Sequence, residues 1–236
     1  MLNRESKDFY NQEFKELVRE VDSLKEKPTL FLHACCGPCL TYPLSILVDH
    51  FKVTVGYFNP NIQPYSEYLK RLDTLKQFIE AYSKYRGMEI PLVINEDDFE
   101  KYNKLFADRI KDREGGPTCL RCHAYRMGLA YEYAADHNYD YFTTVMTVSC
   151  KKPSRELNEI AEKLALKYPS TKYLYSDFKK ENGQYKGILI AKEYGLYRQD
   201  YCGCLPSLKE REEYKKKKAL EEESKAQSEN SLTIIG

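Results

Sequence analysis

Thr29-Leu-Phe-Leu-His33-Ala-Cys35-Cys36-Gly-Pro-Cys39 joins a short apolar run to a loop dense in thiols. Thr29 to His33 has the length and composition of a buried strand, and Leu40 to His50 reads as a helix, so the cysteines fill a strand-to-helix turn. The alternation continues outward. Lys52 to Phe58 is a second strand, followed by the turn-rich Asn59-Pro-Asn-Ile-Gln-Pro64. Glu67 to Tyr85 is a helix with Leu69, Leu72, Leu75 and Ile79 on one face, and Pro91 to Asn95 a third strand. Helices are expected over Asp97 to Lys111 and Cys119 to His137, with the loop Gly115-Gly-Pro117 between them. Tyr141 to Ser149 is rich in β-branched and aromatic residues and reads as a strand. A helix from Ser154 to about Lys167, a strand at Lys172 to Tyr175 and a helix at Gly187 to Tyr194 complete the series. Strands alternating with helices argue for an α/β fold with a parallel sheet, and such sheets bind ligands at the carboxyl ends of their strands. The first cysteine group, the Asn-Pro-Asn loop and Ser149-Cys150 would then meet on one edge.

Three segments are expected: an amphipathic N-terminal helix within 1–28, a main domain at 29–206 and a charged tail at 207–236. Tyr10, Phe14, Leu17, Val21 and Leu24 give the first its helical period. The tail carries the run Lys215 to Lys218, but Glu210, Glu212, Glu213 and Glu221 to Glu223 flank it. It reads as a solvated helix fraying into disorder rather than an RNA-binding arm.

A net charge of +1 means that no global basic field attracts nucleic acid, so any RNA contact must be local. No run has the length of a membrane-spanning segment. Met1-Leu-Asn-Arg-Glu-Ser-Lys-Asp has no secretory pattern, so a cytoplasmic protein with reduced thiols is expected. There is no Gly-x-Gly-x-x-Gly and no Gly-x-x-x-x-Gly-Lys-Ser/Thr, hence no NAD or ATP signature.

Of eight cysteines, most stand in groups, and thiols scattered for packing alone have no reason to cluster. Cys119 and Cys122 sit three apart at a predicted helix start, which puts both sulfurs on one face near a terminus that favours thiolate. With adjacent Cys35 and Cys36 they make four thiolates, the number for a [4Fe–4S] cluster or a structural zinc. Cys202-Gly-Cys204 is too tight for a zinc knuckle and can close into a strained, redox-active disulfide, or supply two ligands instead. Cys36-Gly-Pro-Cys39 matches the thioredoxin tetrapeptide, although the chain has no tryptophan to precede it.

His33-Ala-Cys35-Cys36-Gly-Pro-Cys39, Phe58-Asn-Pro-Asn-Ile62, Cys119-Leu-Arg-Cys122, Phe142-Thr-Thr and Tyr197-Arg-Gln-Asp-Tyr-Cys-Gly-Cys204 occur in that order. Together they resemble the cobalamin-independent epoxyqueuosine reductase family, QueH, over about residues 30 to 206. The resemblance implies a HUP-type, adenine-nucleotide-hydrolase-like fold and reduction of epoxyqueuosine to queuosine at the tRNA wobble position. It implies a [4Fe–4S] cluster on Cys35, Cys36, Cys119 and Cys122, a redox-active disulfide at Cys202 and Cys204, an external electron donor, and no cobalamin. Cys39 is the candidate ligand for an additional iron. Cys150 stands where proline is expected after Ser149, and is read as packing.

The partner implied is a tRNA anticodon stem-loop carrying epoxyqueuosine. Asn59, Asn61, Tyr65, Arg71, Arg126 and Arg198 are candidates to hold it, with Lys70, Arg121, Lys151, Lys152 and Arg155 nearby. Cations would meet phosphates, and Tyr65, Tyr68 and Tyr197 could stack on splayed bases. His33, His123, Asp200 and Tyr201 lie beside cysteines, where a histidine often orients a ligand instead of moving a proton. Two rivals stay open: a thiol–disulfide oxidoreductase using Cys36 and Cys39, and a zinc-stabilised RNA-binding module without catalysis.

Overall fold

The structure is a computed structural model that describes residues 3–95, 99–108 and 112–233, with side chains through 224. Strands β1 (Thr29–Ala34), β2 (Lys52–Tyr57), β3 (Leu92–Ile94), β4 (Tyr141–Thr144) and β5 (Lys172–Tyr173) form one sheet. Their order is β3-β2-β1-β4-β5, and every pairing is parallel. The helices are α1 (Phe9–Asp22), α2 (Gly37–Leu47), α3 (Tyr65–Arg86), α4 (Phe99–Leu105), α5 (Pro117–Asp136), α6 (Ser154–Ala165), α7 (Gly183–Glu193) and α8 (Leu205–Thr233). The expected α/β architecture, a parallel sheet flanked by helices, is what the chain adopts.

The pleat of β1 explains the two layers. Leu30, Leu32 and Ala34 join the core with Leu40, Leu44, Leu72 and Leu75 of α2 and α3, while Phe31 points oppositely, among Ala130, Tyr131 and Ala134 of α5. A strand covered on both faces is a near-continuous apolar run, and Leu30, Phe31 and Leu32 are all fully buried. Gly56 lets β2 pass this packing. A Cβ there would lie 2.3 Å from Phe31 Cζ and 2.4 Å from Cε1. Gly56→Ala is therefore expected to destabilise the protein by about 1–3 kcal/mol. An unfolding midpoint equal to wild type would refute this reading.

Several element ends differ from the sequence expectation. The strand expected over Tyr141 to Ser149 stops at Thr144 and becomes a 3₁₀ turn, Val145–Val148. Its last β1 partner is His33, and beyond that β1 leaves for α2. The Met146 N–H donates to the Thr144 hydroxyl at 3.2 Å, which starts the turn. Val145, Met146 and Val148 stay buried, so their apolar surface is satisfied by packing without a ladder. Helix α2 begins at Gly37, three residues before Leu40, because Pro38 is preorganised for a first turn. Helix α7 likewise starts four residues earlier than expected. Of the helix expected over 97–111, residues 99–105 are observed, and residues 97, 98 and 109–111 lie outside the described residues. The tail runs as α8 to Thr233; Ile234 to Gly236 lie outside. Lys209–Glu213, Lys217–Glu221 and Lys218–Glu222 pair one turn apart along it. Among the described residues no helix is long and apolar enough to cross a membrane.

Strand order reverses between β1 and β4: the chain winds from β1 to β3 on one side and to β5 on the other. Open α/β sheets form their ligand crevice at this switch, outside the strand ends. The cysteine loop leaves β1 at that point.

Candidate metal centre and active site

Cys36 has an extended backbone (φ −175°, ψ 163°) as the residue before α2, which puts Cys39 in the helix's first turn. A Cβ on Gly37 would come within 2.9 Å of the Thr74 carbonyl oxygen, so glycine lets this helix start press on α3. The sulfurs of Cys35, Cys36 and Cys39 all lie within 4.8 Å of one another. Cys35 and Cys36 are buried and Cys39 half-buried. Three sulfurs so close titrate unequally. Cys35 falls well below the usual thiol range, because Cys36 and Cys39 donate to its sulfur and the Lys152 and Arg126 charges outweigh part of the burial. Burial pushes Cys36 up to about 12, and Cys39 rises because of its hydrogen bonds with the Cys35 and Cys36 sulfurs and its burial. Such a set could take a soft metal ion, which binds thiolate and releases protons.

The segment from Leu196 to Cys204 crosses the site and is pinned from several sides. The Tyr197 hydroxyl donates to Glu67 at 3.0 Å, and Lys70 Nζ lies 3.7 Å over its ring. Asp200 pairs with Arg211 at 3.0 Å and Lys215 at 2.6 Å, both on α8. The Tyr201 hydroxyl donates to the Gln63 carbonyl at 2.6 Å. Arg71 donates to the Cys202 carbonyl at 3.0 Å and the Tyr201 carbonyl at 3.2 Å, and pairs with Glu67 at 2.7 Å. Gly203, at φ +127°, returns the chain over Asn61, Ile62 and Arg71; a Cβ would come 3.1 Å from Ile62 and from Arg71 Nη1. Inside this frame, Gln199 donates its amide N–H to the Cys36 sulfur at 2.8 Å.

Cys202 is half-buried and lines the cavity, whereas Cys204 is buried, its thiol donating to the Ser207 hydroxyl at 3.2 Å. The two are not joined by a disulfide in this structure. The cavity measures about 440 Å³ and its wall includes Cys35, Cys39, Cys150 and Cys202 with Arg71, Arg126, Lys151, Lys152 and Arg198. Glu114 and Asp200 are the acidic residues in that wall.

Helix α5 carries the second cysteine pair. The Gly115 N–H donates to the Cys119 sulfur and the Tyr102 hydroxyl to the Cys122 sulfur, each at 3.2 Å. Neither belongs to the three-sulfur group. Arg126, one turn beyond Cys122, connects the two: its positive charge is favoured by Cys122, Cys35 and Cys202 against the cost of burial.

The residues expected to hold RNA divide sharply. Tyr65 is 59% exposed and stacked on Tyr68, and Arg198 is exposed. Asn59, Asn61, Arg71 and Arg126 are buried. Asn59 donates to the Ala34 carbonyl at 2.9 Å and accepts from Arg126 at 2.5 Å, so it ties the ends of β1 and β2 together. Cys150 corrects another expectation. It is exposed in the cavity wall, accepting from Gln184 at 3.3 Å, because the turn after β4 brings it to the surface instead of the core. His33 is a brace: Nε2 donates to the Phe58 carbonyl at 3.2 Å and Nδ1 faces the Thr144 hydroxyl at 3.1 Å. Burial, then Arg126, lowers its pKa to about 3, so it is neutral.

Sequence reasoning missed the role of Gln199 and the Arg71–Glu67 clamp. Gln199 lay within the quoted Tyr197–Cys204 motif, which was the available signal; nothing local distinguishes Arg71 from other helix-surface arginines.

The donor set fits a metal group. Besides the thiols, both side-chain polar atoms of Asn61, Nε of Arg126 and Oε1 of Gln199 are buried without a hydrogen-bond partner around these same loops. Buried polar atoms are normally paired, and a clustered exception fits an environment completed by a bound group.

A doubly wound parallel sheet with a thiol-lined, cationic cavity at its switch point defines an α/β protein whose Cys35, Cys36 and Cys39 sulfurs could hold a metal ion. The family model for epoxyqueuosine reductase QueH matches residues 30–210. The chain belongs to that family. It is 33% identical over 198 residues to an epoxyqueuosine reductase QueH of Staphylococcus epidermidis, covering 83% of each chain. It is 30% identical over 189 residues to that of Thermotoga maritima (78% of this chain, 93% of the relative) and 32% identical over 186 residues to that of Haemophilus influenzae (77% and 72%).

Proposed function

We propose that this protein reduces epoxyqueuosine to queuosine at the wobble position of tRNA. The family match across residues 30–210, which includes every motif cysteine, carries this reading. Removing the epoxide oxygen to leave an alkene takes two electrons and two protons, and the oxygen departs as water. Oxidising the Cys202 and Cys204 thiols to a disulfide releases two electrons and two protons, so the step balances. An external donor then restores the dithiol. A [4Fe–4S] cluster held by Cys35, Cys36, Cys119 and Cys122, with Cys39 toward an additional iron, would supply one-electron chemistry. The protein's own part is positioning and charge. Lys152 and Arg126 offer positive charge beside Cys35 and Cys202, where negative charge on a leaving oxygen needs a counterpart. Tyr65 offers a stacking face, and Lys151 and Arg198 offer phosphate contacts, so tRNA affinity falls as salt rises. A cytoplasmic location follows from this substrate.

Thiol–disulfide exchange by Cys36 and Cys39 fares worse. Cys36 is fully buried, whereas an exchange nucleophile must be accessible to the disulfide it attacks. The deciding experiment is anaerobic purification, metal analysis and incubation with an epoxyqueuosine-bearing anticodon stem-loop plus dithionite. A brown protein with about four or more irons, and loss of one oxygen from the nucleoside by mass spectrometry, is expected. A colourless zinc protein leaving the epoxide intact would sink the proposal.

A further inference from the structure

The Gln199 amide is placed with unusual constraint. Its neighbours Tyr197, Asp200, Tyr201 and Cys202 are each anchored, toward α3, toward α8 or toward the Gln63 loop. The backbone therefore cannot drift, and the side chain turns inward. Nε2 lies 2.8 Å from the Cys36 sulfur and 3.9 Å from that of Cys39. Oε1 is buried with no partner. A methionine or leucine would fill similar space without stranding an acceptor, so packing alone does not account for an amide here. What an amide adds is an N–H directed at sulfur.

We infer that Gln199 is a positioning residue for the metal centre: its N–H stabilises negative charge on the Cys36 sulfur and fixes that sulfur's direction toward the bound ion. The inference rests on reading Cys35, Cys36 and Cys39 as metal ligands. Hydrogen bonds to a ligand atom stabilise its charge and hold its geometry, and their loss typically costs 10–100-fold in metal affinity. Hydrogen bonds to thiolate sulfur also tune the reduction potential of an iron–sulfur centre. Gln199 stands three residues before Cys202, so one anchored segment carries both the proposed electron source and the donor that adjusts the metal site.

Cobalt(II) titration of the metal-free full chain tests this without requiring turnover, since thiolate–cobalt charge transfer reports the sulfurs directly. Gln199→Met removes the N–H while keeping bulk. It is expected to bind cobalt about 10–100-fold more weakly, with a displaced charge-transfer band and a wild-type melting temperature. Gln199→Lys, which restores an N–H donor at similar reach, is expected to recover most of the affinity. Gln199→Met binding cobalt within twofold of wild type and with an unmoved band would overturn the inference, as would a Lys variant no better than Met. Failure of the wild-type chain itself to take cobalt would remove the metal-ligand reading, and this inference with it. If a Gln199 variant behaves like wild type while wild type binds cobalt, only the role of Gln199 falls.

Discussion

Cys202→Ser protein is expected to purify with wild-type iron content and colour, yet to lose epoxide reduction by about a thousandfold or more. Cys202 lines the cavity, while its partner Cys204 is buried beside Ser207. Serine keeps the size of the side chain but cannot form a disulfide, so the two-electron source disappears without disturbing the three-sulfur group. Iron per chain and single-turnover conversion of an epoxyqueuosine stem-loop measure the two properties separately. Loss of iron in this variant would make Cys202 a ligand; undiminished turnover would remove the dithiol from the chemistry.

The largest stability effect is expected at Arg71. Its side chain is 2% exposed and that of its partner Glu67 is 11% exposed. Arg71→Met leaves the Glu67 carboxylate without its cation and frees the carbonyls of Tyr201 and Cys202. Breaking a buried pair from one side costs about 3–5 kcal/mol, and for a chain of this size the melting temperature should fall by roughly 10 °C. Because Tyr197 also donates to Glu67, the loosened segment is the one that carries Gln199 and Cys202. Glu67→Gln combined with Arg71→Met should recover part of the loss, since no uncompensated charge then remains. A melting temperature within a degree of wild type for Arg71→Met alone would rule out this clamp.

The electrostatics of the cavity tie its distant cysteines together. Lys152 is held firmly protonated by Cys202, Cys35 and Cys39 against the cost of burial. Arg126 is drawn to Cys122, Cys35 and Cys202. Thus four cysteines from three segments of the chain share two cations, a relation that no single motif contains.

Local chemistry made much of the fold legible. The β1 run and its cysteine loop were readable because a strand buried on both faces is mostly apolar, whereas the following helix was read three residues late, its start being set by Pro38. The 3₁₀ turn after Thr144 was not, since the strand-like composition of Tyr141 to Ser149 continues past the point where β1 stops offering a partner. Cys150 was misjudged for the same reason: its exposure depends on where that turn delivers the chain.

The amino-acid order alone determined the parallel α/β fold, the grouping of thiols and the family resemblance, because periodicity, turn chemistry and motif spacing are properties of neighbouring residues. Only the folded chain decided that Gln199 reaches the sulfurs of Cys36 and Cys39, and that Arg71 is a buried clamp and not a surface cation. Those facts depend on which distant segments the sheet's strand order brings together, and burial and hydrogen-bond partners across more than a hundred residues arise only when the layers pack.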